Sequence, residues 1–487
     1  MASITQQTVQ TKIPARMDRL PWARWHWLVV VSLGTVWILD GLEVTIKGAV
    51  GPAIKETLGF STFGVAAGAS IYLLGAILGA LFWGYLTDLY GRKKLFIATI
   101  AVYVVGVSMT SITGLLWTEG WAYAWFGIAR FITGFAIGGE YAAINSAIDE
   151  MMPARVRGWL ALAINGSYWV GTLLGAVLGT VYLNIFSLEL GWRIAFATGL
   201  ALGIGILLLR FFVPESPRWL MTHGRNREAE EVIRDIEQDV GESTDEELRD
   251  PSDDESIELR QRRSVGFVEL AQVLFRVYPR RSWVGFALLG TQAFLYNAIF
   301  FTFGLMLTTY FTVDTSDVGL FLIPFAVGNF LGPLILGRFF DTHGRRTMIP
   351  LTFVAAAVLT VATGLLFATG VIAAAWLMTL CWVIIFFFAS AGASAGYLTV
   401  SETFPLELRA MAIAFFYAFG TLIGGVPGPA IFGALITPDN PWTIFYGYLF
   451  GAALMALGGI VHRIWGIEAA KRGLEDVTAP LSAEEAE

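Results

Sequence analysis

The sequence predicts an all-α membrane protein with twelve transmembrane helices in two six-helix halves. Three observations predict it. Apolar residues make up 56% of the 487 and charged residues only 15%, against about 25% charged in a soluble globule, so the bulk of the chain belongs in lipid. Twelve apolar runs approach or exceed the roughly 20 residues that a helix needs to cross a bilayer core. A pair of charged motifs also recurs, about 252 residues apart.

The first motif, Gly84-Tyr-Leu-Thr-Asp88-Leu-Tyr-Gly91-Arg92-Lys93, returns as Gly337-Arg-Phe-Phe-Asp341-Thr-His-Gly344-Arg345-Arg346. The second, Glu150-Met-Met-Pro153-Ala-Arg-Val-Arg157, returns as Glu402-Thr-Phe-Pro405-Leu-Glu-Leu-Arg409. Two motifs in one register indicate a duplicated half. Charged latches at the ends of duplicated apolar helices outline an alternating-access transporter.

The six runs of the first half lie near 27–51, 63–86, 95–117, 122–149, 159–185 and 192–213. Those of the second lie near 283–311, 318–340, 347–370, 372–400, 410–436 and 442–465. Glycines at spacing four (Gly75 and Gly79, Gly134 and Gly138, Gly171 and Gly175) invite close helix–helix approach in lipid. The expected organisation is a cytoplasmic tail over 1–26, a six-helix bundle over 27–213, a linker with short helices over 214–282, a second bundle over 283–466 and a tail over 467–487. Within the linker, 225–239 reads as a charged helix, 240–264 as acidic and mobile, and 266–278 as amphipathic.

Orientation follows from the sorting of basic residues. With both termini cytoplasmic, 28 of the 32 Lys and Arg fall in cytoplasmic segments or at their edges, the others being Lys47, Lys55, Arg130 and Arg193. The N-terminus has no short apolar region before a small-residue cleavage site, so it reads as a retained tail of a multi-pass cell-membrane protein. The single Cys381 excludes an internal disulfide and a thiolate metal cluster. No P-loop occurs, which argues against ATP-driven transport. His26, His223, His343 and His462 are scattered, and no catalytic or metal-ligand constellation appears, so an enzyme is not expected. The implied partners are a small-molecule substrate and the bilayer, with no nucleic acid, a monomeric chain and no cofactor beyond the proton as coupling ion.

Ionisable groups inside a span are costly and mark function. The first span carries Asp40, Glu43 and Lys47 on roughly one helical face. At about 1.5 Å per residue, Glu43 lies roughly 24 Å from Trp27, and Arg130 of the antiparallel fourth span roughly 12 Å from Ala122. These depths permit contact, and an arginine beside a carboxylate keeps it ionised until the arginine moves or substrate enters. That makes Glu43, Asp40 and Arg130 candidates for proton coupling, with a structural Glu43–Lys47 pair as the plain alternative. Glu140, deeper in the fourth span, is a further candidate, or else a partner of the charged motifs. Polar and aromatic residues in other spans suit substrate contact. They are Asn165, Tyr168 and Trp169 in the fifth, Gln292, Tyr296 and Asn297 in the seventh, Asn329 in the eighth, Trp382 in the tenth and Tyr417 in the eleventh.

Gly84–Lys94 resembles the signature loop of the major facilitator superfamily, and its second copy at Gly337–Arg346 does as well. Arg130-x-x-x-Gly134-x-x-x-Gly138 resembles the fourth-helix motif of its proton-coupled members. Pro214-Glu215-Ser216-Pro217-Arg218 resembles the sugar-porter segment after the sixth helix, and Gln292-Ala-Phe-Leu-Tyr-Asn297 the sugar-contact segment of the seventh. Departures occur as well. Asp40-Gly41-Leu42-Glu43 looks more like the first-helix motif of aromatic-acid/proton symporters, and Asn165 stands where sugar porters carry Gln. The resemblance implies the major facilitator fold and a proton-coupled symporter for a small polar metabolite such as a sugar or an organic or aromatic acid. A proton-antiport exporter is the alternative, supported by Gly420-x-x-x-Gly424-Gly-Val-Pro427, and a non-transporting nutrient sensor is another. The gate expected from the motifs comprises Asp88, Arg92, Glu150, Arg157, Glu215 and Arg218 exchanging ion pairs in the first half, and Asp341, Arg345, Glu402 and Arg409 in the second.

Overall fold

The chain folds as a helical bundle in which apolar length dictates span length and Gly, Pro and Ser dictate the breaks. The computed structural model describes residues 8–60, 62–115, 119–211, 213–244, 248, 251, 256–260, 266–313, 318–405, 408–437 and 440–478. The parts of the acidic stretch at 245–247, 249–250, 252–255 and 261–264, and the last tail residues 479–487, lie outside these.

The first half comprises α2 (Arg24–Leu58), α3 (Thr62–Tyr90), α4 (Arg92–Ser111), α5 (Glu119–Met151), α6 (Arg157–Gly166) with α7 (Tyr168–Ile185), and α8 (Leu188–Arg210). The second comprises α12 (Pro279–Phe311), α13 (Val318–Thr342), α14 (Arg345–Ala368), α15 (Ala375–Thr403), α16 (Arg409–Gly420) with α17 (Pro427–Leu435), and α18 (Pro441–Trp465). Ten of these spans are long and apolar enough to cross a membrane. The other two are α5, which carries Arg130, Glu140, Asp149 and Glu150, and the broken α16–α17 pair. The fifth span breaks where the Ser167 hydroxyl turns back onto the carbonyls of Ile164 and Gly34. The eleventh widens into a π turn over Thr421–Gly425 just before Pro427, which has no N–H to donate.

Small residues set the distances between spans. A Cβ on Gly134 or Gly138 would stand 2.0 Å from the carbonyl oxygen of Tyr72 or Ala76 on α3, and one on Gly171 would stand 1.9 Å from that of Ile38 on α2. Between the halves, α6 and α7 pack on α13, and α16 packs on α3 and α5.

The linker is more ordered than its composition suggests. Helices α9 (Pro217–Thr222) and α10 (Asn226–Ser243) follow α8, and α10 buries a stripe of Ala229, Ile233, Ile236 and Val240. α11 (Phe267–Gln272) and a π turn over Val273–Val277 lead into α12. The one departure from an all-helical chain among the described residues is a two-stranded antiparallel sheet. It pairs β1 (Thr8–Thr11) with β2 (Ile257–Arg260) inside the acidic stretch, so that stretch is not uniformly without structure. The following α1 (Ile13–Asp18) docks on α10, with Arg16 2.6 Å from both Glu230 and Glu237, and Arg19 2.6 Å from Glu237. Burial pushes the Glu237 carboxyl up, but the two arginines outweigh it and hold the group below its ordinary value.

If close backbone approach sets the α3–α5 distance, Gly138→Ala should destabilise the fold by about 1–3 kcal/mol. Gly205→Ala, where nothing lies within 4 Å of an added Cβ, is the control. A lower melting temperature in detergent for the first variant alone is the expected outcome.

Candidate substrate cavity, charge pair and gate

A cavity of about 220 Å³ lies between the halves. The breaks in the fifth and eleventh spans turn side chains into it: Tyr168 and Trp169 follow Ser167, and Tyr417 and Thr421 flank the start of the π turn. Of the expected contacts, Asn165, Tyr168, Trp169, Gln292, Tyr296, Asn297 and Tyr417 line it. Asn329 does not: it is fully buried behind the wall and accepts a 2.7 Å hydrogen bond from the Tyr296 hydroxyl. Trp382 is also fully buried, packed against Phe386 and Tyr448 as core. Both are corrected from wall residues to supports, because their helix faces turn into their own half.

Aromatic residues close the space between the halves. Ring centroids of Tyr141 and Tyr417 are 4.4 Å apart, those of Trp169 and Tyr296 6.0 Å, and those of Trp37 and Tyr397 6.1 Å. Trp37, Tyr72, Tyr141 and Tyr397 were missed as wall residues. Trp37 stands three residues before Asp40 and Tyr141 eleven after Arg130, so a helical-face reading would have placed both beside the charges.

The charges sit immediately behind this wall. Glu43 and Arg130 form a buried ion pair, with Tyr103 donating to Glu43 at 3.3 Å and the guanidinium 4.7 Å from the centre of the Tyr72 ring. Glu43 therefore takes Arg130 and not Lys47, because the antiparallel α5 presents its guanidinium at that depth while Lys47 is half-buried one turn further along α2. Asp40 is buried and accepts from the hydroxyls of Tyr72 at 3.1 Å and Tyr141 at 2.5 Å.

Glu140 stands apart from this cluster. It accepts from the Thr99 hydroxyl and is attracted by Arg210, a buried guanidinium stacked 4.1 Å over Phe96. It neither lines the cavity nor joins the charged motifs, because α5 turns it toward α4 and α8.

The repeated motifs meet at the face that carries α1 and the segment around Glu468 and Arg472. Within each half an arginine binds two acids: Arg92 reaches Glu150 at 2.6 Å and Asp88 at 3.3 Å, and Arg345 reaches Glu402 at 2.9 Å and Asp341 at 2.8 Å. Contrary to an exchange confined to each half, the others cross over. Arg157 lies 3.3 Å from Glu402, and Arg409 lies 3.9 Å from Glu150. Asp88 accepts from the Met411 backbone N–H at 2.9 Å, and Asp341 from that of Trp159 at 2.7 Å.

Two of the expected gate residues act differently. Glu215 accepts from the backbone N–H groups of Arg92 and Lys93 at 2.9 and 3.2 Å, which caps the exposed start of α4. Burial pushes its carboxyl above the ordinary value, against the pull of Arg92 and these donors. Glu468 does the same for Arg345 and Arg346 at 2.8 and 3.1 Å, a third repeated feature that the motif search missed. Gly91 and Gly344, at φ 101° and 85°, make the turns, and a Cβ there would meet Glu215 or Glu468 within 2.3 Å. Arg218 donates to the carbonyls of Asp149 and Glu150 and pairs with Asp18 at 3.1 Å, tying the N-terminal segment to α5.

Comparison with known proteins agrees with this architecture. A family model described as "Sugar (and other) transporter" matches residues 27–480. The inner membrane metabolite transport protein YdjE of Escherichia coli is 28% identical over 96% of this chain and 98% of its own. The niacin transporter NiaP of Acinetobacter baylyi is 24% identical over 95% and 99%. The solved structure of the proton:xylose symporter XylE, of the major facilitator superfamily, superposes with a TM-score of 0.76 at 19% identity, covering 93% of this chain and 98% of that one. With the twelve spans, the duplicated halves and a family match over nearly its whole length, the chain belongs to the sugar (and other) transporter family, has the major facilitator fold, and is a multi-pass membrane transporter and not an enzyme.

Proposed function

We propose that this transporter is a proton-coupled symporter that takes up a small polar metabolite by alternating access, as a monomer in the cell membrane with both termini cytoplasmic. The observation that carries the reading is the buried Glu43–Arg130 pair behind the cavity wall, joined to it through the Tyr72 ring. A buried pair persists only while its geometry is good, and separating it leaves an uncompensated buried charge. Substrate entering against Tyr72 and Tyr141 acts on the same aromatic layer that holds Asp40 and Arg130. Proton loading on Glu43 and substrate loading in the cavity are thereby linked. Sorting of Lys and Arg puts the gate face on the cytoplasmic side, so the cross-half pairs hold that side shut. Opening it requires the pairs of Arg157 and Arg409 to break while those of Arg92 and Arg345 stay within their halves.

The first test is uptake of labelled solutes into proteoliposomes under an imposed pH gradient. Glu43→Gln should abolish accumulation driven by the gradient while counterflow exchange continues. Full uphill uptake by that variant would remove Glu43 from coupling.

The second test concerns the gate. In a Cys381→Ser background carrying Ser394→Cys in the cavity, Arg157→Ala should speed labelling from the gate face several-fold, because it removes a contact across the halves while Glu402 keeps Arg345. An unchanged labelling rate would show that the crossing pairs do not hold the gate.

A further inference from the structure

The chemistry of the cavity wall points to a narrower substrate class. Nine of its nineteen residues are aromatic, and among the described residues no Lys, Arg or His lines it. Its hydroxyls are also directed. A carboxylate accepts and does not donate, so Tyr72 and Tyr141 must give their protons to Asp40. Tyr296 gives its proton to Asn329 in the same way. Tyr72 is left with oxygen lone pairs, while the oxygens of Tyr141 and Tyr296 also meet the hydroxyls of Tyr417 and Ser390. Asn297 donates its amide to the Ala293 carbonyl, and Asn165 donates to Asn145, so each has spent a donor inside the protein.

Behind the wall the Glu43–Arg130 pair balances itself, with the guanidinium against the Tyr72 ring, and Asp40 adds a carboxylate. Asp40 is held by two phenols and, among the described residues, makes no ion pair. Arg130 is committed to Glu43 on the next turn, and Lys47 lies about 10 Å further along α2 by helical rise. The face of the cavity nearest Asp40 is therefore aromatic, rich in acceptors and backed by a carboxylate. Aromatic faces attract cations, and the attraction grows where water is displaced.

We propose that the cavity takes an aromatic substrate carrying a protonated nitrogen, with the ring stacked among the tyrosines and the N–H groups directed at the oxygens of Tyr72 and Tyr141. Asp40 acts through those two residues and is a positioning residue. A free organic anion would meet acceptors and a like charge here, and a sugar would leave the ring surfaces without a flat partner. The proposal rests on the reading of this cavity as the substrate site.

Tyramine, tyrosol and 4-hydroxyphenylacetate share one phenol ring and differ in carrying an ammonium, a hydroxyl or a carboxylate. Their dissociation constants on the purified full-length protein can be read by quenching of intrinsic fluorescence and by mutual competition. Tyramine should bind tightest and 4-hydroxyphenylacetate weakest, with about tenfold or more between them. Asp40→Asn should erase the preference for tyramine over tyrosol, read as the ratio of the two dissociation constants on the same variant. Tyr141→Phe, which keeps the ring and removes the acceptor, should reduce the same preference and guards against a folding defect in the first variant. Tighter binding of 4-hydroxyphenylacetate or D-glucose than of tyramine would overturn the proposal. So would no binding of tyramine, or a preference that survives both substitutions. Proton-driven uptake of another solute in the face of such a result would leave the symport reading standing and remove only the substrate class.

Discussion

Glu150 and Glu402 each stand between two arginines, one from their own half and one from the other, and the rest of the structure depends on that sharing. Glu150 takes Arg92 closely and Arg409 at 3.9 Å, and Glu402 takes Arg345 closely and Arg157 at 3.3 Å. An acid that always keeps one arginine is never left as an unpaired buried charge, so the second can leave without the full penalty of stranding it. The close pairs therefore keep each half rigid, and the longer crossing pairs hold the halves together only as long as the gate is shut. A gate built from solitary pairs would either not close or not open.

The helix ends obey the same logic. Glu215 and Glu468 cap α4 and α14 through backbone N–H groups, which fixes where Arg92 and Arg345 start. The left-handed turns at Gly91 and Gly344 bring those N–H groups within reach. Because Glu468 lies beyond the last span, the C-terminal segment is part of the gate of the second half. Arg157 donates to the Arg472 carbonyl at 2.8 Å, which binds that segment to the first half as well. The N-terminal segment has the matching place at the first half, through Arg218 and Asp18.

Much of this was legible in the sequence because it depends on length, period and repetition. Span count, duplication and the Glu43–Arg130 contact all follow from helical rise and apolar run length. Three kinds of feature were not legible. The crossing of Arg157 and Arg409 depends on how two halves face each other, which no single-chain period encodes. The roles of Asn329 and Trp382 depend on rotation of a helix about its axis, and a span that is apolar all round gives no moment to read it from. The β1–β2 pairing joins segments about 250 residues apart, and the alternation of Ile257-Glu258-Leu259-Arg260 spans only four residues, too short to announce a strand by itself.

The asymmetry between the halves follows from what each has to do. Gate residues recur because closing takes two mirrored contacts across one interface. In the register of the gate, the position of Arg130 falls on Val383, so the second half has no counterpart for the Glu43–Arg130 pair. On the proposed symport reading, one coupling pair suffices if the halves move as bodies: a charge neutralised on α2 would change the energy of the whole first half against the second. The second half meets it with amides and rings from Gln292, Tyr296, Asn297 and Tyr417, which change neither charge nor protonation during a cycle. Two titrating halves would admit mixed protonation states in which one favours closure and the other opposes it. On the same symport reading, confining the coupling pair to one half would leave one protonation event to bias the gate, with the duplicated machinery at the gate face serving that event and the substrate.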